Sequence, residues 1–299
     1  MGNRNRYQFG SSNVGGFFAF ILERQAIYLA RCAGKSKPWT QDPILQKYKF
    51  TNIFRQCDRG TIALHNMLAE MRNDGWSDDL CLWTIIWYRL FNLRNHVEDT
   101  DKFFKDYSAL EKFILAKYRR GHQIFTSAHM THGSAGESKH ITYLEGAKMA
   151  FRKRRDYLAS IENEPTLEHA FRTMLQNYCV GPFVAYEIVC DLRFTPILQC
   201  AADVLTWANI GPGAKRGLER LGLPNTLESV RKLYATSTQI LGKEFFASAR
   251  PHPLEVHPWS DVMLFELREI EHSLCEFDKY ERARLGQGKP RSRYPGEPS

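Results

Sequence analysis

The chain has no apolar run near the roughly 18 residues that span a bilayer, so no membrane partner is expected. It has no C-x-x-C pair either. Its seven cysteines are odd in number and read as reduced intracellular thiols, with Cys81 and Cys190 filling core positions. No zinc or iron–sulfur site, and no other cofactor, is expected from them. Strand signals are scarce. "GHQIFTSAHMTHG", between Gly121 and Gly133, is a short hairpin or an extended loop. No repeat appears at solenoid periods. The N-terminal "MGNRNRYQFGSSNVGGFFAFILERQ" lacks a small-residue cleavage site and breaks at Glu23, which argues against a signal peptide. Arg6 stands where a myristoylation signal needs Ser or Thr. Acidic excess is absent too: 41 Lys and Arg face 33 Asp and Glu, a net charge of +8, with a sequence pI near 9.1. That balance favours a polyanionic partner; a basic protein without a nucleic-acid role is the plain alternative.

What is present is helical periodicity and enough apolar material, 43% of 299 residues, for a sizeable core. "KFTNIFRQCDRGTIALHNMLAEMRN" repeats apolar residues at three- and four-residue spacing. "SDDLCLWTIIWYRLFNLRN" opens with Ser77 as N-cap and acids in its first turn. "TDKFFKDYSALEKFILAKYRRG" closes on basic residues and Gly121. "KHITYLEGAKMAFRKRRDYLASIEN" carries a basic outer face, and a last helix is expected within "WSDVMLFELREIEHSLCEFDKYERAR". The expectation is an all-α, two-lobed fold with one small irregular or β insertion. It divides into an N-terminal extension (1–39), a helical region (40–284) and a flexible basic tail (285–299).

One stretch is more specific. "TLEHAFRTMLQNY", "CVG" and "PFVAYEIVCDLRF" read as helix, turn and helix, a helix–hairpin–helix near 166–194. Pro182 suits a first helical turn, and Gly181 permits backbone that a side chain would obstruct. Amides at such a helix start can bind a DNA phosphate; an ordinary αα-hairpin is the alternative. Asp203 follows Gly181 by 22 positions (203 − 181) and opens "DVLTWANIGPGAKRGLERLG".

A helix–hairpin–helix followed at this distance by an aspartate resembles the helix–hairpin–helix DNA glycosylase superfamily. By that resemblance Asp203 takes the catalytic aspartate's position, and Val180, Gly181 and Phe183 form the DNA-binding hairpin. Phe183 stands near where lyase-active members carry a lysine, so lyase activity is not implied. "WTIIWYRLFN", "GPFVAYEIVCDLRFT", "IGPGAKRGLERL" and "EIEHSLCEFDKY" together resemble the phage and prokaryotic amino acid:DNA transferases of thymine hypermodification, also described as α-glutamyl/putrescinyl thymine pyrophosphorylases. The resemblance covers residues 40 to 285. Tyr178-Cys179 replaces the usual Pro-Gly before the hairpin's hydrophobic residue. The resemblance implies transfer of an amine, from an amino acid or polyamine, onto the methylene of phospho- or pyrophospho-activated 5-hydroxymethyluracil in double-stranded DNA. It also implies a separate 5-hydroxymethyluracil DNA kinase, and the cytoplasm of the host cell if the chain is phage-encoded.

The residues fit such chemistry in the following way. Asp203 takes a proton from the amine or steadies positive charge, or else caps a helix. Gly211, Gly213, Lys215 and Arg216 of "GPGAKRG" suit a phosphate, or form a turn with a solvated basic pair. Their order and spacing are not those of a Walker loop, so the chain is not expected to be the kinase. Arg89, Asn92 and His96 fall at helical spacing on one face, where they read a base edge or a carboxylate; Arg94 and Asn95 fall beside them. Lys139 and Ser127 suit phosphate contacts, whereas His129, His132 and His140 make a poor metal set. His272, Glu276 and Asp278 are of interest through the resemblance alone, and Glu276 pairs with Lys279 in the plain reading. A monofunctional glycosylase and a non-catalytic DNA-binding module remain the alternatives.

Overall fold

A computed structural model of the chain describes residues 13–93, 104–126, 138–247 and 265–294. Among these residues the regular structure is helical: α1 (Val14–Cys32), α2 (Pro43–Lys47), α3 (Arg59–Asn73), α4 (Asp78–Phe91), α5 (Tyr107–Arg119), α6 (Lys139–Asn163), α7 (Leu167–Met174), α8 (Pro182–Leu192), α9 (Pro212–Arg220), α10 (Leu227–Ile240), α11 (Gly242–Ala247) and α12 (Leu267–Arg284). The all-α expectation holds. No strand occurs among the described residues, and residues 127–133 of the expected insertion lie outside them. The chain divides into two compact units. One takes its described residues from Arg59–Asp203, the other from Met1–Asp58, Val204–Val256 and Val262–Ser299.

In the Arg59–Asp203 unit α4 is central, because it is apolar on every side and can bury its whole circumference. Helices α3, α6 and α8 surround it. Trp83 and Trp87 are fully buried, and the Trp83 indole donates to the Ala147 carbonyl at 2.9 Å. The helix stops at Asn92, whose left-handed backbone (φ 51°) forms the C-cap. The helical spacing expected to carry on to His96 therefore ends there, and residues 94–96 lie outside the described residues. Gly121, at φ +71°, ends the α5 segment as its stop signal implied.

In the other unit α12 is central, contacted by α1, α2, α9 and α10. Glu266 and Glu269 form a capping box at its start. Helix α1 is capped by Asn13, which accepts from Gly16 N at 2.8 Å. It buries Phe17, Phe18, Phe20 and Ile21 completely, with Phe17 and Phe20 against the Phe277 ring. The segment set apart as an extension is thus part of this unit's core. The division at Leu285 needs the same correction. Lys49 N donates to Ser292 O (2.9 Å), Tyr294 N donates to Lys47 O (3.2 Å), and Tyr294 is buried.

Candidate functional site

The hairpin is built by α7, a turn over 175–181, and α8. The turn is longer than the three residues expected, because α7 ends at Met174 and two tight turns follow, Gln176 N to Thr173 O and Asn177 N to Met174 O, both 3.1 Å. Buried Asn177 fastens it by donating to the carbonyls of Gly146 and Tyr178, each at 3.1 Å. Gly181 is the N-cap of α8 and Pro182 its first residue, and no side chain caps this start. First-turn amides have no partner within their own helix, and Gly181, Pro182 and Phe183 are exposed around them, Phe183 at 55%. Val180 differs: its amide donates to Asn177 O at 3.1 Å and its side chain is buried.

Asp203 reaches back across the sequence to α7. Its carboxylate accepts from Leu167 N at 2.7 Å and Glu168 N at 3.0 Å, while Thr166 Oγ1 accepts from His169 N at 3.1 Å. The first three amides of α7 are therefore satisfied, and Asp203 does the work of a helix cap.

Arg89 lies inside the unit. Its guanidinium grips Asp191 through Nε (2.5 Å) and Nη2 (2.7 Å), reaches Glu187 at 3.2 Å, and donates to Asn92 Oδ1 at 3.2 Å. Burial pushes the Asp191 carboxyl up, but Arg89 outweighs it and holds the group below its usual range. Arg89 and Asn92 are brought together as expected, but as a clamp between α4 and α8 rather than at the surface. Lys139, at the start of α6, rests over the Phe125 ring (4.3 Å), and burial lowers its pKa. His140 stacks on Tyr118, and Ser127, His129 and His132 fall outside the described residues.

In the other unit, "GPGAKRG" forms the first turns of α9. Gly211 N donates to the buried Glu271 carboxylate at 3.3 Å. A Cβ on Gly213 would sit 2.9 Å from Cys275 Sγ, and one on Gly217 would overlap the Leu274 backbone. Both glycines serve the close packing of α9 on α12. Lys215 and Arg216 are exposed. Arg216 Nε bonds Asp278 Oδ2 (2.9 Å), Arg220 Nε bonds Oδ1 (2.8 Å), and Arg282 Nε stands 3.3 Å away. Burial raises the Asp278 pKa, yet the hydrogen bonds from Arg220 and Arg216 and the charge of Arg282 bring it below the usual carboxylate value. Three guanidinium groups share one buried carboxylate, which leaves a surplus of positive charge here. Sequence reasoning missed Arg220 and Arg282. The four-residue steps from Arg216 to Arg220 and from Asp278 to Arg282 were the available signal. Glu276 is buried, bonded to Lys279 (2.5 Å) and Thr51 N (3.3 Å), and His272 lies 3.8 Å from Glu271.

Comparison with known proteins gives these placements a context. Residues 11–289 match the family described as "5-hmdU DNA kinase, helical domain". The 5-hmdU DNA kinase of Bacillus phage SP10 is 27% identical over 296 residues, covering 88% of this chain. The matched stretch is 44% of that relative, so the chain spans less than half of its length. No solved structure matches the chain. The matched family and relative are named for a kinase, which overturns the expectation of amine transfer. The expected tie to 5-hydroxymethyluracil is kept in the names of the matched family and relative; membership of the amino acid:DNA transferases does not follow. By the match across residues 11–289, the chain belongs to the family of the 5-hmdU DNA kinase helical domain.

Proposed function

We propose that the chain takes part in phosphorylating 5-hmdU in DNA, and that its share of the reaction lies on the acceptor side. The family match over residues 11–289 carries this reading. In such a transfer the hydroxyl oxygen on the C5 methylene forms a bond to the γ-phosphorus of a nucleoside triphosphate. The bond from that phosphorus to its bridging oxygen breaks, and the hydroxyl proton departs. Catalysis of this kind rests on positioning and charge. The C5 substituent points into the major groove, so holding the flanking phosphates fixes the attacking oxygen.

Support for the acceptor side comes from where phosphate-suited groups lie. A triphosphate is usually cradled by amides at a helix N-terminus. The Gly-Lys-Ser run of this chain, Gly34–Lys35–Ser36, instead follows the C-terminus of α1. Gly34 N donates to Arg31 O and Lys35 N to Ala30 O, both at 3.0 Å, with Gly34 at φ +66°. Those amides are consumed in a helix stop, and that end of the helix carries negative partial charge. DNA phosphates, in contrast, suit the exposed Gly181–Pro182 start of α8, the side chains of Lys215 and Arg216, and the net charge of +8.

The test combines two measurements on the full chain. Incubation of the chain alone with magnesium, a γ-labelled nucleoside triphosphate and a duplex carrying 5-hmdU should transfer no label to the DNA. Gel-shift titration with a duplex carrying 5-hmdU should show a complex. Transfer of labelled γ-phosphoryl by the chain alone would overturn the acceptor-side assignment, and absence of any DNA complex would overturn the reading as a whole.

A further inference from the structure

The unit built around α12 holds a cleft that the DNA-facing reading does not use. It is lined by Arg24, Tyr28 and Arg31 of α1, by Tyr48 and Asn52 of the segment after α2, and by Tyr294. Arg24, Tyr28 and Arg31 recur at four and three residues, so they share one face of α1. The strand-like pairing of residues 47–49 with 292–294 closes one wall.

Arg24 is the unusual member. It is 6% exposed, and its Nη1 and Nη2 atoms are buried without a hydrogen-bond partner among the described residues. Its guanidinium lies over the Phe20 ring at 5.1 Å. Burial lowers its pKa to about 10, so it still carries its charge at neutral pH. The charges of nearby Glu276 and Asp58 partly offset this burial, but neither acid hydrogen-bonds Arg24 Nη1 or Nη2, and each has other partners. Glu276 bonds Lys279 and Thr51 N. Asp58 accepts from Asn52 N at 3.1 Å and pairs with Arg55 at 2.9 Å. Asp42 accepts from Ile44 N, Leu45 N and Tyr280 Oη. Among the described residues no carboxylate lines the cleft. A buried charge left in this state is disfavoured unless something pairs with it.

The rest of the cleft indicates what that partner is. Arg31 lies 5.5 Å over Tyr294, Lys37 lies 5.5 Å over the same ring, and Arg293 lies 5.7 Å over Tyr48. A second cation thus lines the cleft and further cations rim it, fixed on aromatic faces. Guanidinium donors match phosphate oxygens in a forked geometry. The space is about 270 Å³ including its open mouth, with an enclosed floor no larger than a water-sized group. That is below the span of pockets that enclose whole small molecules, and it suits one phosphate group presented from outside. We propose that this cleft, through Arg24 and Arg31, binds a single phosphate group.

The proposal is independent of the kinase reading, and its test uses the folded chain without any reaction. Thermal unfolding is followed with inorganic phosphate added against chloride at matched ionic strength. The wild type should gain stability as phosphate rises. Arg24→Met removes the charge at similar length. It should be more stable than the wild type without phosphate and should lose the phosphate response. Arg24→Lys keeps the charge without the fork and should retain a weaker response. Two further arms separate the sources. If a DNA backbone supplies the phosphate, Arg24→Met makes the log–log salt dependence of duplex binding shallower by about 0.9. If a free nucleotide supplies it, duplex binding is unchanged and ATP reproduces the phosphate effect in the wild type alone. Equal phosphate stabilisation of wild type and Arg24→Met, or none in the wild type with either ligand, would overturn the proposal.

Discussion

Cys179 and Gly146 are matched to each other across the hairpin turn. Cys179 adopts left-handed backbone, φ +60°, at the position where the resemblance expects glycine, and a Cβ on Gly146 would overlap its sulfur. The space given up at Gly146 is what the cysteine side chain occupies. Burial pushes the Cys179 thiol up to about 12, so it is a packing group and not a nucleophile at neutral pH.

Gly146→Ala should destabilise the chain by about 1–3 kcal/mol through overpacking. Cys179→Gly should relieve left-handed strain of about 1 kcal/mol. Combining the two should restore only part of the loss, since a Cβ at Gly146 also meets Tyr178 O at 2.8 Å. Urea denaturation of the three variants checks this.

Asp203→Ala should cost about 1–2 kcal/mol, the usual worth of a helix cap, with duplex DNA affinity unchanged. Asp203→Asn keeps one acceptor oxygen and should cost less. A loss of DNA affinity beyond the loss of folded protein would show that Asp203 does more than cap α7.

Arg89→Met strips the cation from buried Asp191 and Glu187 and should cost about 3–5 kcal/mol. In the wild type the folded pKa of Asp191 lies below its ordinary value. Its stabilisation is therefore present above about pH 3.9 and is lost as pH falls through the lower folded value. In the variant Asp191 keeps only His65, at 3.6 Å, and burial then raises its pKa, so stability should improve from pH 7 toward pH 5. Denaturation at both pH values checks this: the Asp191 contribution in the wild type is flat between them, and the variant gains stability at the lower pH.

Gly217→Ala should cost about 3 kcal/mol, because the clash is with the Leu274 backbone, which cannot rotate away. Gly213→Ala should cost less, and Cys275→Ala should partly rescue it by removing the sulfur that the new Cβ meets.

Local signals made much of the helical skeleton legible. The apolar periodicity of α4 and α6, the stop at Gly121 and the Gly181–Pro182 start of α8 each depend on residues within a turn or two. What was not legible depends on partners far along the chain. Asp203 meets amides 35 and 36 residues away. The glycines at 213 and 217 could have made room for a phosphate or for a helix, and only the position of α12 decides between them. Arg89 and Asp278 look like surface chemistry in a string of letters, yet both are enclosed by oppositely charged groups of their own unit. Helix α1 falls outside the resemblance over residues 40 to 285, yet its aromatic residues are core. The reaction class was misread because a helical scaffold can serve several chemistries at one base.

The acceptor-side account is tested most directly by the affinity of the full chain for two duplexes that differ at one position, 5-hmdU or thymine, measured by fluorescence anisotropy across a salt series. Binding should weaken with salt by about 0.9 log unit per phosphate contact per log of salt, and should be tighter to the duplex carrying the hydroxyl. Salt-independent affinity, or equal affinity for the two duplexes at every salt concentration, would contradict it.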